Sequence, residues 1–213
     1  ALDSHTFLDD CDAAGTLLAK GHVLAIQGLG GYQLACDATR PEAVARLRAL
    51  KRREAQPFAL MVAHLDAARA WCEVSDAEAQ ALQSQAAPTV LLRRRANIAA
   101  PGPADAVAPG LDSLGLMLPS TGVHHLVLRR MRRPIVLTSS GLGDEPQAIT
   151  REALVERFPE GIDHVLDHPR AIARRVDDSV LRLIDGRLRV LRRARGLSPE
   201  PIALPAGLEQ APA

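Results

Sequence analysis

The stretch RALKRREAQPFALMV, Arg48 to Val62, decides how this chain is read. Arg48, Lys51, Arg52 and Arg53 end what apolar spacing predicts to be a helix, Pro57 breaks the chain, and Phe58-Ala59-Leu60-Met61-Val62 predicts a core strand. Positive charge therefore collects where the backbone turns back into its own core. A solvated helix end explains this, because cations favour a helix C-terminus. A phosphate-binding wall also explains it. Lys51 and Arg53 cannot share one helical face, but if the helix stops at Lys51 the extended chain beyond lets both reach one cleft.

Working outward, Thr39-Arg40-Pro41-Glu42 predicts the start of that helix, with Thr39 as cap, Pro41 in the first turn and Glu42 closing a capping box. Before it, Val23 to Ile26 predicts a buried strand, and QGLGGYQLACDA, Gln27 to Ala38, a glycine-rich turn. After it, Ser75 and Glu78 open a second capped helix and Val90 to Leu92 forms a strand. The Pro- and Gly-rich segment 96–113 is expected to be a mobile loop. Strands follow at Leu114 to Leu118 and Ile135 to Leu137, around a helix carrying Val123, Leu126 and Val127. A helix is expected from Arg151 to Arg157, and a hairpin pairs Val180–Ile184 with Leu188–Leu191 across Asp185-Gly186. The class is α/β with a mixed sheet and flanking helices. One domain spans 1–213, its core at about 13–204, with linker-like ends at 1–12 and 205–213.

Bulk composition limits the functions available. Of 213 residues 47% are hydrophobic but only 2% aromatic, so the core is aliphatic and there are few rings on which single-stranded nucleic acid could stack. The net charge of +1 gives no global pull toward polyanions, whereas local clusters at 46–53, 93–95, 129–133 and 187–195 suit a small anionic ligand. Cys11, Cys36 and Cys72 form no CxxC pair, so neither a disulfide scaffold nor a structural zinc site is expected. No apolar run is long enough for a membrane span and no signal peptide is evident, so a reduced cytoplasmic setting is the expectation.

Three segments carry candidate chemistry. Gly28, Gly30 and Gly31 let backbone approach a ligand or simply make a tight turn. Lys51 and Arg53 offer cations. PIVLTSSGLGDEP, Pro134 to Pro146, delivers Thr138, Ser139 and Ser140 to a glycine-containing loop at the carboxyl end of a strand, the edge where open α/β sheets bind ligands. No His–Asp pair marks a nucleophilic serine, which favours binding over covalent catalysis.

Taken in order, GLGGYQLACDA, LKRREAQPFALMV, APGLDSLGLMLPSTGVHHLVL, PIVLTSSGLGDEPQ, DDSVLRL and LRRARGLSPEPIALP resemble the YrdC-like domain of HypF-type carbamoyltransferases, which mature nickel–iron hydrogenases. The resemblance runs from about Leu17 to Leu204. It implies a twisted mixed sheet with flanking helices, in proteins where an acylphosphatase domain and zinc-finger modules precede this region and a larger transferase domain follows. The implied reaction joins ATP, as its Mg²⁺ complex, with carbamate released from carbamoyl phosphate. It gives carbamoyl-adenylate and pyrophosphate, and the carbamoyl group then passes to the C-terminal cysteine of a HypE-type acceptor protein.

By match to the family motif, Lys51 and Arg53 are the catalytic, phosphate-binding pair. Gly28 and Gly30 approach the nucleotide, Thr138 and Ser139 hold phosphate or carbamoyl oxygens, and Ser179 with Arg193 or Arg195 closes the far side. His124 and His125 are either packed or in ligand contact. Asp177 and Asp178 could hold Mg²⁺ through water, and Asp178 could equally cap a turn or pair with Arg174 or Arg175. Cys36 reads as a small core residue. The family usually has Lys at Gln27, His at Gln33, Lys at Gln56, Asn at Gly141 and Ser at Gly143. Two other functions fit the resemblance: threonylcarbamoyl-adenylate synthesis for tRNA modification, and non-catalytic binding of double-stranded RNA.

Overall fold

The computed structural model describes residues 6–98, 101–143 and 145–202. Helix α1 is Phe7–Ala19, so residues 7–12 are helical where linker is expected. Thr6 and Asp9 close a reciprocal capping box at its start, which fixes the helix that early. Strands β1, Leu24–Gln27, and β2, Tyr32–Asp37, form a hairpin in which only residues 28–31 turn, so the expected long glycine-rich turn is mostly a buried strand. Helix α2, Pro41–Lys51, ends at Lys51 as the spacing predicts. Its start differs from expectation. Thr39 gives both its N–H and its hydroxyl to the buried Asp37 carboxylate (2.9 and 2.7 Å), leaving Arg40 as the cap residue, and Glu42 pairs with Arg40 at 3.0 Å.

Strand β3 is Ala59–Met61, followed by a helix the sequence did not announce, α3, Leu65–Trp71. Helix α4, Asp76–Leu82, carries the Ser75–Glu78 capping box in full, and β4 spans Thr89–Arg93. The segment expected to be mobile is instead anchored over much of its described length. A 3₁₀ turn at Asp105–Val107 buries Val107, whose carbonyl accepts from Phe58 N–H at 2.8 Å, and the Ala104 N–H donates to Ala38 O at 2.8 Å. Residues 99 and 100 lie outside the described residues.

Strand β5, Ser113–Met117, helix α5, Gly122–Met131, strand β6, Ile135–Ser139, and helix α6, Arg151–Arg157, follow as read from the sequence. The three-residue strand β7, His164–Leu166, gave no sequence signal. Strands β8, Val180–Ile184, and β9, Arg187–Arg192, are joined by Asp185 and Gly186, with φ of 50° and 71°. Two successive positive φ angles are what a tight turn between twisted strands requires. Of the tail expected to be linker, residues 203–213 lie outside the described residues.

All nine strands form one mixed sheet in the order β7-β1-β2-β6-β3-β5-β4-β8-β9. Side chains alternate between its faces. Leu34, Leu60, Val90, Leu116 and Val136 enter one core, together with residues of α2, α3, α4 and α6. Ala35, Met61, Met117 and Leu137 enter a second, smaller core with α1 and α5. Ala59, Gly115, Leu91 and Thr89 share the parity of this second face through the β3–β5–β4 register. Ala59 packs at the edge of that core, while Gly115, Leu91 and Thr89 border a cavity on this face. Among the described residues no helix is long and apolar enough to cross a membrane.

Leu60 is fully buried where β3 lies between β6 and β5. Leu60→Ala is expected to cost about 2–5 kcal/mol of stability, read as a lower urea midpoint with an unchanged slope.

Candidate nucleotide-binding cavity

A cavity of about 290 Å³ opens on that face of the sheet. Its wall includes Ser139 on β6, Ala59 and Phe58 at β3, Gly115 and Met117 on β5, Thr89 and Leu91 on β4, and Val180 on β8. The strands supply the cavity's floor, and the ends of β2 and β6, where the sequence suggested a ligand site, supply one wall. Small residues make the floor possible, since Ala59 and Gly115 are paired at its centre.

The four cations of the opening stretch divide. Arg48 donates to the carbonyls of Val107 and Gln56 (3.3 and 3.1 Å), and also to that of Ala106, while lying 4.8 Å over the Phe58 ring. Its work is to hold the turn. Lys51, only 1% exposed, donates to Ser139 O at 2.6 Å and to Gly141 O, tying the end of α2 to the loop after β6. Burial, with Arg53 and Arg157 nearby, brings its pKa down to about 8. Arg52 takes the left-handed C-cap position (φ 51°), which redirects the chain. Arg53 lines the cavity 5.5 Å from the Phe58 ring centre, and its guanidinium makes no hydrogen bond or ion pair with a described residue. Desolvation and the neighbouring Arg48 both weaken its hold on its proton.

The remaining expected site residues separate in the same way. Gly30, Thr138, Ser139 and Arg195 line the cavity; Gly28, Lys51, Ser179 and Arg193 do not. Ser139 faces Gln33 in the β2–β6 register and Thr138 faces Leu34, so alternation aims Ser139 at the cavity and puts Thr138 on the parity of the opposite core. Ser179 is 0% exposed. Its hydroxyl donates to Arg195 O and accepts from Ala194 N–H, both at 2.9 Å, so it fixes the segment carrying Arg195. Arg195 pairs with Asp178 at 2.8 Å and donates to the carbonyls of Ala86 and Ala87 (3.2 and 3.0 Å). The expected partners of Asp178, Arg174 and Arg175, are thus replaced by Arg195. Arg193 reaches the Glu200 carbonyl instead of the cavity.

Gly30 meets a protein neighbour. A Cβ there would lie 2.2 Å from the Val176 carbonyl oxygen, so this glycine permits the turn to press on the 174–178 segment. Three positions that differ from the family pattern also have structural explanations. Gln27 bridges the Arg170 carbonyl and the His168 N–H (2.7 and 2.9 Å). Gln33 lines the cavity. At Gly141 a Cβ would sit 2.1 Å from Glu145 O, so the loop closes on itself where a side chain would project.

Some wall residues carried no usable sequence signal: Gln147, whose amide donates to Val176 O at 2.8 Å, and the small floor residues. Arg157, outside the cavity lining, donates to Ser140 O and Pro146 O (3.1 and 2.9 Å) and pairs with Glu145 at 3.0 Å, bracing the loop that Lys51 holds from the other side. His124 lines the cavity and is 2% exposed. Asp177 also lines it, and no cluster of three or more metal-ligating side chains occurs among the described residues.

Comparison with known proteins places this geometry. The chain is 46% identical over 204 residues to carbamoyltransferase HypF of Rhodobacter capsulatus, covering 96% of this chain and 26% of that protein. It is 32% identical over 170 residues to threonylcarbamoyl-AMP synthase of Xanthomonas campestris pv. campestris (strain B100), covering 74% of this chain and 85% of that one. A crystal structure of full-length HypF in the phosphate- and nucleotide-bound form superimposes with a TM-score of 0.85 at 38% identity, over 91% of this chain and 30% of that one. The chain therefore spans about a quarter of the HypF relative's length. The profile of the Sua5/YciO/YrdC family, described as telomere recombination, matches residues 16–194, and the chain belongs to that family.

Proposed function

We propose that this domain forms carbamoyl-adenylate. In this reading carbamate, released from carbamoyl phosphate, attacks the α-phosphorus of ATP through one of its oxygens, the bond to the bridging oxygen breaks, and pyrophosphate leaves. The observation that carries the reading is Arg53, a cation with no hydrogen-bond or ion-pair partner among the described residues, on the wall of a cavity that also presents Ser139.

The chemistry needs such a group. Two anions must meet, and negative charge builds on the departing pyrophosphate, so a fixed cation in a partly dry site lowers the barrier most where that charge appears. Arg53 is placed to hold phosphate oxygens, and Ser139 to donate to one. Lys51 acts from behind, fixing the backbone on which Ser139 sits. Carbamate is already ionised, so no general base is required. Mg²⁺ enters with ATP as the counter-ion of its phosphates, which together with water supply most of its ligands. Asp177 is the carboxylate on the wall nearest in kind to such a role.

In the longer protein the product passes to a HypE-type acceptor through the neighbouring domains, in a cytoplasmic setting that suits three buried free cysteines. The similarity to a threonylcarbamoyl-AMP synthase supports a second reading, in which threonine and bicarbonate replace carbamate. Pyrophosphate release separates the two. Carbamoyl phosphate is expected to stimulate it and threonine with bicarbonate is not; the reverse result selects the second reading.

Arg53→Ala is expected to weaken MgATP binding by roughly 10- to 100-fold, the equivalent of losing about 1.5–3 kcal/mol in a charge-assisted hydrogen bond. Isothermal titration calorimetry reads this directly, and an unchanged Kd removes Arg53 from the site. Lys51 gives a pH prediction. Its pKa stands near 8 in the free domain, and a phosphate anion bound close by favours the protonated form. Binding near pH 8.5 is therefore expected to take up protons, and affinity to fall as pH rises through 8. Titration in buffers of different ionisation enthalpy measures the uptake, which Lys51→Met is expected to abolish.

A further inference from the structure

The cavity holds one buried hydrogen-bonding atom that the fold does not use. His124 sits in the first turn of α5, where its backbone N–H donates to Thr121 Oγ1 at 3.2 Å. Its ring is 2% exposed and forms part of the cavity wall. Nδ1 lies 3.4 Å from Ser120 Oγ, and Nε2 has no hydrogen-bond partner among the described residues. The other buried side-chain atom without a hydrogen bond there is an Asp37 oxygen, and it rests 2.8 Å from the Arg133 guanidinium. The Asp37 oxygen thus has an ion pair, and Nε2 has nothing. Leaving a buried polar atom unmet costs about 1–3 kcal/mol, so such an atom calls for a function.

We infer that His124 reads the nucleobase of the bound nucleotide, through a hydrogen bond from or to its Nε2. The inference rests on the nucleotide reading above and adds a specificity-determining residue to it. The cavity's charges divide the ligand. Arg53 and Ser139 serve phosphates at one wall. Near His124, Arg195 is paired with Asp178 and donates to the Ala86 and Ala87 carbonyls, and Arg192, also on the wall, donates to the Asp178 carbonyl. Burial lowers the imidazole pKa to about 4, with Asp178 opposing and Arg195 and His125 reinforcing that shift, so the ring is uncharged at neutral pH and makes a poor phosphate partner. Leu91, Gly115, Met117 and Val180 line the same cavity without a polar side chain, which suits a flat, neutral heterocycle.

Either imidazole tautomer can take part. With Ser120 donating to Nδ1, Nε2–H donates to a ring nitrogen of the base; with Nδ1–H donating to Ser120, Nε2 accepts from an exocyclic amino group. Adenine presents both kinds of atom.

The test compares wild type, His124→Leu and His124→Gln in titrations with ATP, adenosine and inorganic tripolyphosphate, alongside a ¹⁵N spectrum of the histidine side chains. Expected is a loss of about tenfold for adenosine and ATP in the Leu variant, the equivalent of one buried hydrogen bond. Tripolyphosphate binding should stay unchanged, and the Gln variant, which keeps a polar atom near the Nε2 position, should lie within about threefold of wild type. In the wild-type spectrum, adenosine shifts Nε2 of His124, a readout that needs no variant to fold. The inference falls if the Leu variant binds adenosine as wild type does, if tripolyphosphate weakens in step with adenosine, or if Nε2 does not respond. If wild type binds tripolyphosphate and ATP but not adenosine, the inference falls and the nucleotide reading stands. If wild type binds no nucleotide, both fall.

Discussion

A charged ammonium in a protein interior must find oxygen or give up its proton, and Lys51 finds two carbonyls. That requirement joins the end of α2 to the loop after β6, two elements far apart in sequence that share no strand pairing. Much else follows from the join. Ser139 is held by its own carbonyl at the point where its side chain borders the cavity. Arg157 braces the same loop from its outer side. The left-handed turn at Arg52, directly after the buried lysine, then releases Arg53 toward ligand while Arg48 stays behind to bind the turn's carbonyls. Four neighbouring cations end up with different surroundings, and of the four only Arg53 lines the cavity.

Much of this was legible in the chain. The helix ending at Lys51, the box from Ser75 to Glu78, the α6 boundaries and the Asp185-Gly186 hairpin follow from local signals, because caps and tight turns are settled within four residues. Elements settled by tertiary contact were not legible. Strand β2 reads as turn because its glycine-rich entry and Ala–Cys interior carry little strand propensity; pairing on both sides makes it a strand. Strand β7 has three residues and exists through its parallel pairing with β1. Thr39 has the chemistry of a cap, but the buried Asp37 two residues earlier takes its hydroxyl first.

The site was half visible for the same reason. Residue type marked Arg53 and Ser139 as candidate anion partners, and the fold brings both to the cavity wall. The sequence could not show that β5 and β4 lie beyond β3, where they supply the cavity's floor. Ser179 and Arg195 belong to the site's frame, one locking the segment that carries the other. Two positions that the resemblance singles out have local roles: the Gln27 amide joins two backbone groups, and the loop folds tightly over Gly141.

The border strand β9 has a bearing on solubility. Among the described residues it is paired on one side only, with β8, and its Val190 and Leu191 are more than half exposed. A free strand flank with bare aliphatics invites another chain to add itself. Arg187, Arg189 and Arg192 occupy the same strand, so two such flanks brought together would oppose like charges along their length. Arginines so placed have the character of gatekeepers, and neutralising them would remove the charge that opposes such pairing.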